Sequence, residues 1–330
     1  MTGHASCCVP GVSHPYSSSP EAPGAPTGAS PARAAIKQPH ARSRTLVVVN
    51  RKARSGNADL DPALAALGGA FGAPAVLDVE DPGQLRERLH EACGPDVGRV
   101  VVAGGDGTVN SALEVVLLAR KPLGILPLGT ANDLARTLGI PTDLEAAAQL
   151  IVAGRTKRID VGVVNGRYFL NAAGIGFSTA LSNELPGWAK RHLGPLAYPL
   201  AVVRRWRRHR PFSVVLRGEG APARRRVIQV TVANGRFYGG GMTAEQDARI
   251  DDGQLDVVMV LPAAWWRQIL SVIGLKRGVY PEAVPVVAER SAAFGLTTPR
   301  PHWIATDGEP TTRTPATFAV LPGALEVYVP

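Results

Sequence analysis

Cysteine is scarce in this chain: three in 330 residues, too few for a disulfide framework. Cys7 and Cys8 stand in a tail and Cys93 is isolated, so no zinc site is visible and a reducing cytoplasm fits. Long apolar runs are missing too. A membrane span needs about 18 uninterrupted apolar residues, and the longest candidates are broken by Pro199 and Arg204 or by Arg267 and Gln268. That excludes an integral membrane protein. Residues 1–43 hold one acidic residue, Glu21, and no apolar core of signal-peptide type. They are rich in Ser, Pro, Ala and Gly, and we read them as a disordered tail without assigned function. No internal repeat is present.

Positive charge is in excess. Lys and Arg outnumber Asp and Glu by 36 to 27, for a net charge of +9. Such a surface suits nucleic acid or anionic lipid, or simply reflects an arginine-rich proteome. An apolar fraction of 45% is ordinary for a soluble globular protein, and the length allows two domains.

The most informative segment is Gly104-Gly105-Asp106-Gly107-Thr108. It follows the apolar run Val100–Ala103 and precedes a helical pattern through Val109, Leu113, Val116 and Leu117. Strand, glycine turn and helix start form a cradle for phosphate, because glycine admits close backbone approach and a helix N-terminus favours anions. The turn lacks the Gly-Lys-Ser/Thr ending of a P-loop and the spacing of a dinucleotide turn. Asp106 would repel a bare phosphate, and it makes sense with a magnesium ion between the two. A second buried strand, Leu123–Leu126, leads into Pro127-Leu128-Gly129-Thr130-Ala131-Asn132-Asp133-Leu134-Ala135 and again into a helix. In an open parallel sheet, ligands bind at the carboxyl ends of the strands, so both loops are expected at one crevice.

These two motifs together resemble the catalytic domain of diacylglycerol kinases, shared by bacterial lipid kinases and sphingosine kinases. The resemblance runs from about Thr45 to the C-terminus. It includes Asn50–Gly56, Arg158-Ile159-Asp160-Val161-Gly162, Asn171–Phe177, Asp251–Asp256 and Thr306-Asp307-Gly308-Glu309-Pro310. It implies ATP and Mg2+ as cofactors and a lipid hydroxyl as acceptor.

Alternating strands (Thr45–Val49, Ala75–Val79, Arg99–Ala103, Leu123–Leu126) and helices (Leu60–Phe71, Pro82–Ala92, Val109–Ala119, Ala131–Leu138) predict a parallel α/β sheet. Asp143 is the expected cap of a further helix ending at Ala153. After Gly154 short β-rich segments dominate: Arg158–Val164, Tyr168–Asn171, Phe212–Leu216, Val227–Ala233, Leu255–Leu261, Trp303–Ala305, Phe318–Leu321 and Leu325–Val329. They predict an antiparallel sandwich, with helices over 178–185, 190–209 and 263–276. The expected organisation is a tail (1–43), an α/β nucleotide-binding domain of the phosphofructokinase and NAD-kinase kind (44–156) and a mainly antiparallel β-sandwich for lipid (157–330).

Each candidate residue has a structural alternative. Asn50–Gly56 is a surface loop on its own terms. The resemblance makes Asn50, Arg54, Ser55 and Gly56 a triphosphate clamp, with Arg51 where relatives carry proline. Gly104, Gly105, Asp106, Gly107, Thr108 and Asn110 would meet the nucleotide, with Ser111 standing where many relatives have Glu. Thr130 would join them. Asn132 and Asp133 either cap a helix or, by resemblance, bind nucleotide, with Asp133 in a water–magnesium network and Asp160, a metal candidate, in a similar one. Glu309 alone reads as a solvated turn residue; by resemblance it is the catalytic base, acting with Asp106. Asp251–Asp256 is a β-turn or, by resemblance, a structural magnesium site using Asp252 and the carbonyls of Arg249 and Gln254.

The run Arg204–Arg210 is a solvated helix end, an anionic-membrane contact or a nucleic-acid contact; no nucleic-acid motif accompanies it. Tyr198, Val202 and Trp206 would form its buried stripe. Trp265-Trp266 suits core packing or a membrane interface. The reading is an ATP-dependent lipid kinase, cytoplasmic and peripheral to the inner face of the membrane, with a lipid substrate, no nucleic-acid partner and room for a homodimer. The alternatives are a NAD-kinase-like kinase of a soluble acceptor and a catalytically silent lipid-binding regulator.

Overall fold

The computed structural model describes residues 43–51, 59–79, 81–177, 210–218, 222–243, 248–264 and 286–330. Its first half alternates as the apolar pattern predicts: β1 (Arg44–Asn50), α1 (Asp61–Phe71), β2 (Ala75–Val79), α2 (Pro82–Ala92), β3 (Val97–Gly104), α3 (Asp106–Ala119), β4 (Leu123–Pro127), α4 (Asp133–Leu138) and α5 (Leu144–Ala153). Strands β2, β1, β3 and β4 lie side by side and parallel. Val47, Val48 and Val100–Val102 are fully buried, as parallel strands covered on both faces require. The expected cap of α5 is present: Asp143 accepts the Ala146 N–H at 2.8 Å.

The second half is β-rich: β5 (Thr156–Val164), β6 (Arg167–Phe169), β7 (Ala172–Gly176), β8 (Phe212–Arg217), β9 (Ala223–Val227), β10 (Gln229–Ala233), β11 (Phe237–Tyr238), β12 (Met242–Thr243), β13 (Leu255–Val260), β14 (Val286–Ser291), β15 (Ala293–Thr297), β16 (Trp303–Thr306), β17 (Glu309–Arg313) and β18 (Ala316–Tyr328). One six-stranded sheet, β14-β13-β10-β7-β16-β17, is antiparallel throughout. Strands β5, β6, β8, β9, β15 and β18 continue the parallel sheet, giving ten strands in all, and β11 and β12 form a separate two-stranded sheet. The join is β18. Val327 lies parallel to Leu123 of β4, while the strand pairs antiparallel with β5 and β15. Phe169, Val214, Phe294 and Phe318 of this sheet meet Ile175, Val230, Val257 and Ile304 of the other in one buried core.

Several boundaries differ from the pattern. Helix α3 starts at Asp106, because Gly105 is its N-cap. Helix α4 starts at Asp133, because Asn132 is left-handed (φ 50°). Val227–Ala233 is two strands in different sheets, divided at Ile228. Phe318–Leu321 and Leu325–Val329 are one strand with an irregularity between Leu321 and Leu325. Tyr168–Asn171 is the end of β6 and a corner. Strands β7, β14, β15 and β17 carry too many small, charged or turn-type residues to show a clean alternation. The predicted helices over 178–185 and 190–209, that over 263–276 from Trp265 onward, and the Arg204–His209 part of the basic run lie outside the described residues. Among the described residues, no helix is long and apolar enough to cross a membrane.

Phe318 is fully buried and stacks on Phe294, ring centroids 4.9 Å apart. Phe318→Ala is expected to lower the unfolding free energy by about 3–5 kcal/mol. A urea midpoint within error of the parent's would show that this stack does not hold the sandwich.

Candidate functional site

The two glycine turns meet backbone to backbone. A Cβ on Gly129 would lie 2.6 Å from Gly105 Cα, and one on Gly104 would strike the Thr108 side chain at 2.6 Å. Leu128 donates its N–H to Gly104 O at 2.9 Å. Only glycine allows this approach, so the carboxyl ends of β3 and β4 open on one crevice. Asp106 is the first residue of α3, and its Oδ1 accepts the Leu134 N–H of α4 at 3.2 Å. One loop thus caps the helix of the other. Thr108 Oγ1 accepts from Asn50 Nδ2 at 2.9 Å, which brings the end of β1 to the same place. Asn110 lies in the first turns of α3, half-buried, and Thr130 is exposed at the mouth of its loop. Ser111 Oγ donates to Gly107 O, and Glu114 is ion-paired with Arg86.

Asn132 and Asp133 do structural work. The Asn132 amide accepts from Gly129 N–H and donates to Gly129 O, both at 2.9 Å, which closes the loop on itself. It makes no side-chain cap on α4. Asp133 is buried, and its two oxygens accept the N–H groups of Gly240 and Gly241, each at 2.8 Å. These glycines lie between β11 and β12. Burial raises the Asp133 carboxyl above its ordinary range; the Gly240 bond opposes the shift and the Asp106 charge adds to it.

Glu309 reaches the crevice from the sandwich. It opens β17 after a two-residue turn, Asp307 (φ 47°) and Gly308 (φ 91°), both with the positive φ of a type I′ hairpin. Glu309 Oε1 lies 3.9 Å from where a Cβ on Gly107 would be. The turn is clamped by Asp307, whose carboxylate accepts the N–H groups of Leu170, Asn171 and Ala172 at 2.9–3.0 Å. Burial pushes the Asp307 carboxyl up to about 6; the three N–H bonds oppose that and the Asp106 charge adds to it. Asp106 therefore lies close enough for its charge to act on both Asp133 and Asp307, and negative charge there favours a cation over a bare anion. Asp307 and the Gly240–Gly241 pair were not singled out from sequence. Their signals are an Asp-Gly hairpin turn and three consecutive glycines, Gly239–Gly241.

Other candidates fall elsewhere. Asp160, grouped by resemblance with the Arg249, Asp252 and Gln254 metal candidates, lies at the Asp251–Gln254 turn. Its Oδ2 accepts from Gly253 N–H and its Oδ1 from Gly323 N–H, each at 2.7 Å, so its carboxylate braces backbone. Asp252 is exposed, and its Oδ1 accepts the Gln254 N–H. The Arg249 side chain pairs with Asp251, which also binds Lys157. Among the described residues no group of three or more His, Cys, Asp or Glu side chains is placed to hold a metal. Arg54, Ser55 and Gly56 lie outside the described residues. Arg51, which stands where relatives carry proline, makes a two-bond fork to Asp78 at 3.0 and 3.2 Å.

The diacylglycerol kinase catalytic domain family matches residues 44–164, and the YegS C-terminal NAD kinase beta sandwich-like domain matches residues 173–329. A Pseudomonas aeruginosa (strain UCBPP-PA14) protein named probable lipid kinase YegS-like is 36% identical over 304 residues, covering 88% of this chain and 95% of its own. A Yersinia enterocolitica protein of the same name is 32% identical over 297 residues, covering 87% and 97%. A solved structure from Bacillus anthracis str. Sterne, described as a candidate diacylglycerol kinase, superposes with a TM-score of 0.75 at 28% identity, covering 87% and 95%.

Asp133→Asn replaces one N–H acceptor by an NH2 group facing a donor. We expect about 1–3 kcal/mol of lost stability, the cost of a buried unsatisfied polar group. An unchanged unfolding midpoint would mean the glycine pair does not depend on this carboxylate.

Proposed function

We propose, from the premise that this chain belongs to the YegS-like lipid kinases of the diacylglycerol-kinase catalytic-domain family, that it transfers the γ-phosphoryl group of ATP to the hydroxyl of diacylglycerol or a related lipid. The observation that carries this is the approach of Glu309, from the sandwich, to Gly107 at the N-terminus of α3. A proton acceptor and an anion cradle then face one crevice. The N–H groups of Asp106 and Gly107 precede the first intrahelical bond of α3, from Thr108 to Gly105 O, and suit phosphate oxygens. Asn50 and Thr108 add neutral hydrogen-bonding groups beside them.

The residues fit a magnesium–nucleotide complex. Asp133 and Asp307 give both their oxygens to backbone N–H groups, while one oxygen of Asp106 has no hydrogen-bond partner among the described residues and is open to a cation. Asp106 would hold the ion; when bound, magnesium supplies charge neutralisation between that carboxylate and the phosphates. Glu309 takes the proton of the lipid hydroxyl while its oxygen bonds to the γ-phosphorus. The bond from that phosphorus to the β-phosphate oxygen breaks, and ADP leaves. The sandwich would receive the acyl chains, which places the enzyme at the cytoplasmic surface of a membrane.

Glu309→Gln keeps shape and removes the proton acceptor. With labelled ATP and a total lipid extract, kcat is expected to fall roughly 10²–10⁴-fold with the KM for ATP nearly unchanged. Parent turnover in this variant would assign the proton to another group. Chelation of divalent ions should abolish transfer, and added magnesium should restore it; transfer that persists in the chelator would remove the metal from the reading.

A further inference from the structure

We infer that the outer face of the sandwich edge formed by β8 and β9 is the surface that docks this enzyme on an anionic lipid bilayer. The inference rests on the lipid-kinase reading, since the acceptor lies in a membrane. Strand β9 is an edge strand of sequence Ala223-Arg224-Arg225-Arg226-Val227, and its three arginines are exposed. Registers fix which face each occupies. Val227 opposes Phe212 and Arg225 opposes Val214, on the side of the buried core; Arg226 opposes Ser213 and Arg224 opposes Val215, on the outer side. Arg217 is on that outer side too, opposite Gly295. The next positions across the face are Thr297, Thr317, Ala293, Ala319 and the exposed Leu321. None of these positions is acidic.

Among the described residues, Arg217, Arg224, Arg225 and Arg226 make no ion pair. Charged residues on an edge strand also discourage aggregation. That role needs neither a face of one sign nor apolar residues beside it.

The test is sedimentation of the full chain with vesicles, without nucleotide. One set is phosphatidylcholine with one-third phosphatidylglycerol, the other phosphatidylcholine alone, at low and at high salt. Each arginine near an anionic surface changes partitioning about fivefold, so the triple variant R217Q/R224Q/R226Q is expected to bind anionic vesicles about 10²-fold more weakly. Arg-to-Lys changes at the same sites should restore most of the binding, and high salt should remove it. Equal binding to both vesicle types, unchanged binding by the Gln variant, or tighter binding to duplex DNA than to anionic vesicles at the same salt would overturn the inference. Phosphorylation of detergent-dispersed lipid is measured in parallel. Its retention in the Gln variant is expected. Absence of phosphorylation in the parent, with arginine-dependent vesicle binding intact, would overturn the kinase reading and uphold the docking face.

Discussion

Backbone N–H groups left without partners at helix starts and glycine turns are satisfied, across this fold, by aspartates from distant segments. Asp106 holds Leu134, Asp133 holds Gly240 and Gly241, Asp160 holds Gly253 and Gly323, and Asp307 holds Leu170, Asn171 and Ala172. A buried N–H without an acceptor is costly, and a carboxylate is a strong acceptor. The Asp133, Asp160 and Asp307 bonds join segments separated by 93 residues or more. They fix the glycine loop between β11 and β12 on α4 and the Glu309 hairpin on the corner after β6. The crevice keeps its shape because its walls are tied in this way.

The same arrangement sets the electrostatics. Bracing with aspartate places carboxylates around Asp106; burial raises the carboxyls of Asp133 and Asp307, and the Asp106 charge adds to both shifts. A polyphosphate enters such a place best with a cation. The excess positive charge of the chain is spent elsewhere, including the exposed arginines of β9. Negative crevice and positive outer face are the two features on which the proposed metal–nucleotide site and the proposed docking surface rest.

The long strand β18 supplies the mechanical link. It pairs with β4 in the parallel half and with β5 and β15 in the sandwich. A displacement of the sandwich relative to the nucleotide loops would have to break that pairing or bend it at the Leu321–Leu325 irregularity.

Much of this was legible in the residues. Apolar runs ending in glycine turns announced the parallel sheet and the crevice at its strand ends, because local periodicity and glycine chemistry act over a few residues. The resemblance carried by the ordered motifs pointed to Asp106 and Glu309. Tertiary structure alone decided how the carboxylates are used. Asn132 and Asp133 looked like caps or ligands, yet one closes its own loop and the other holds two glycines 107 and 108 residues away. Asp160 holds Gly253 and Gly323, and nothing local marks which distant N–H groups a carboxylate will meet. The split of Val227–Ala233 between two sheets and the merging of two segments into β18 are pairing choices of the same kind. They depend on which strands find each other across the core, which the hydrophobic pattern of a single segment does not encode.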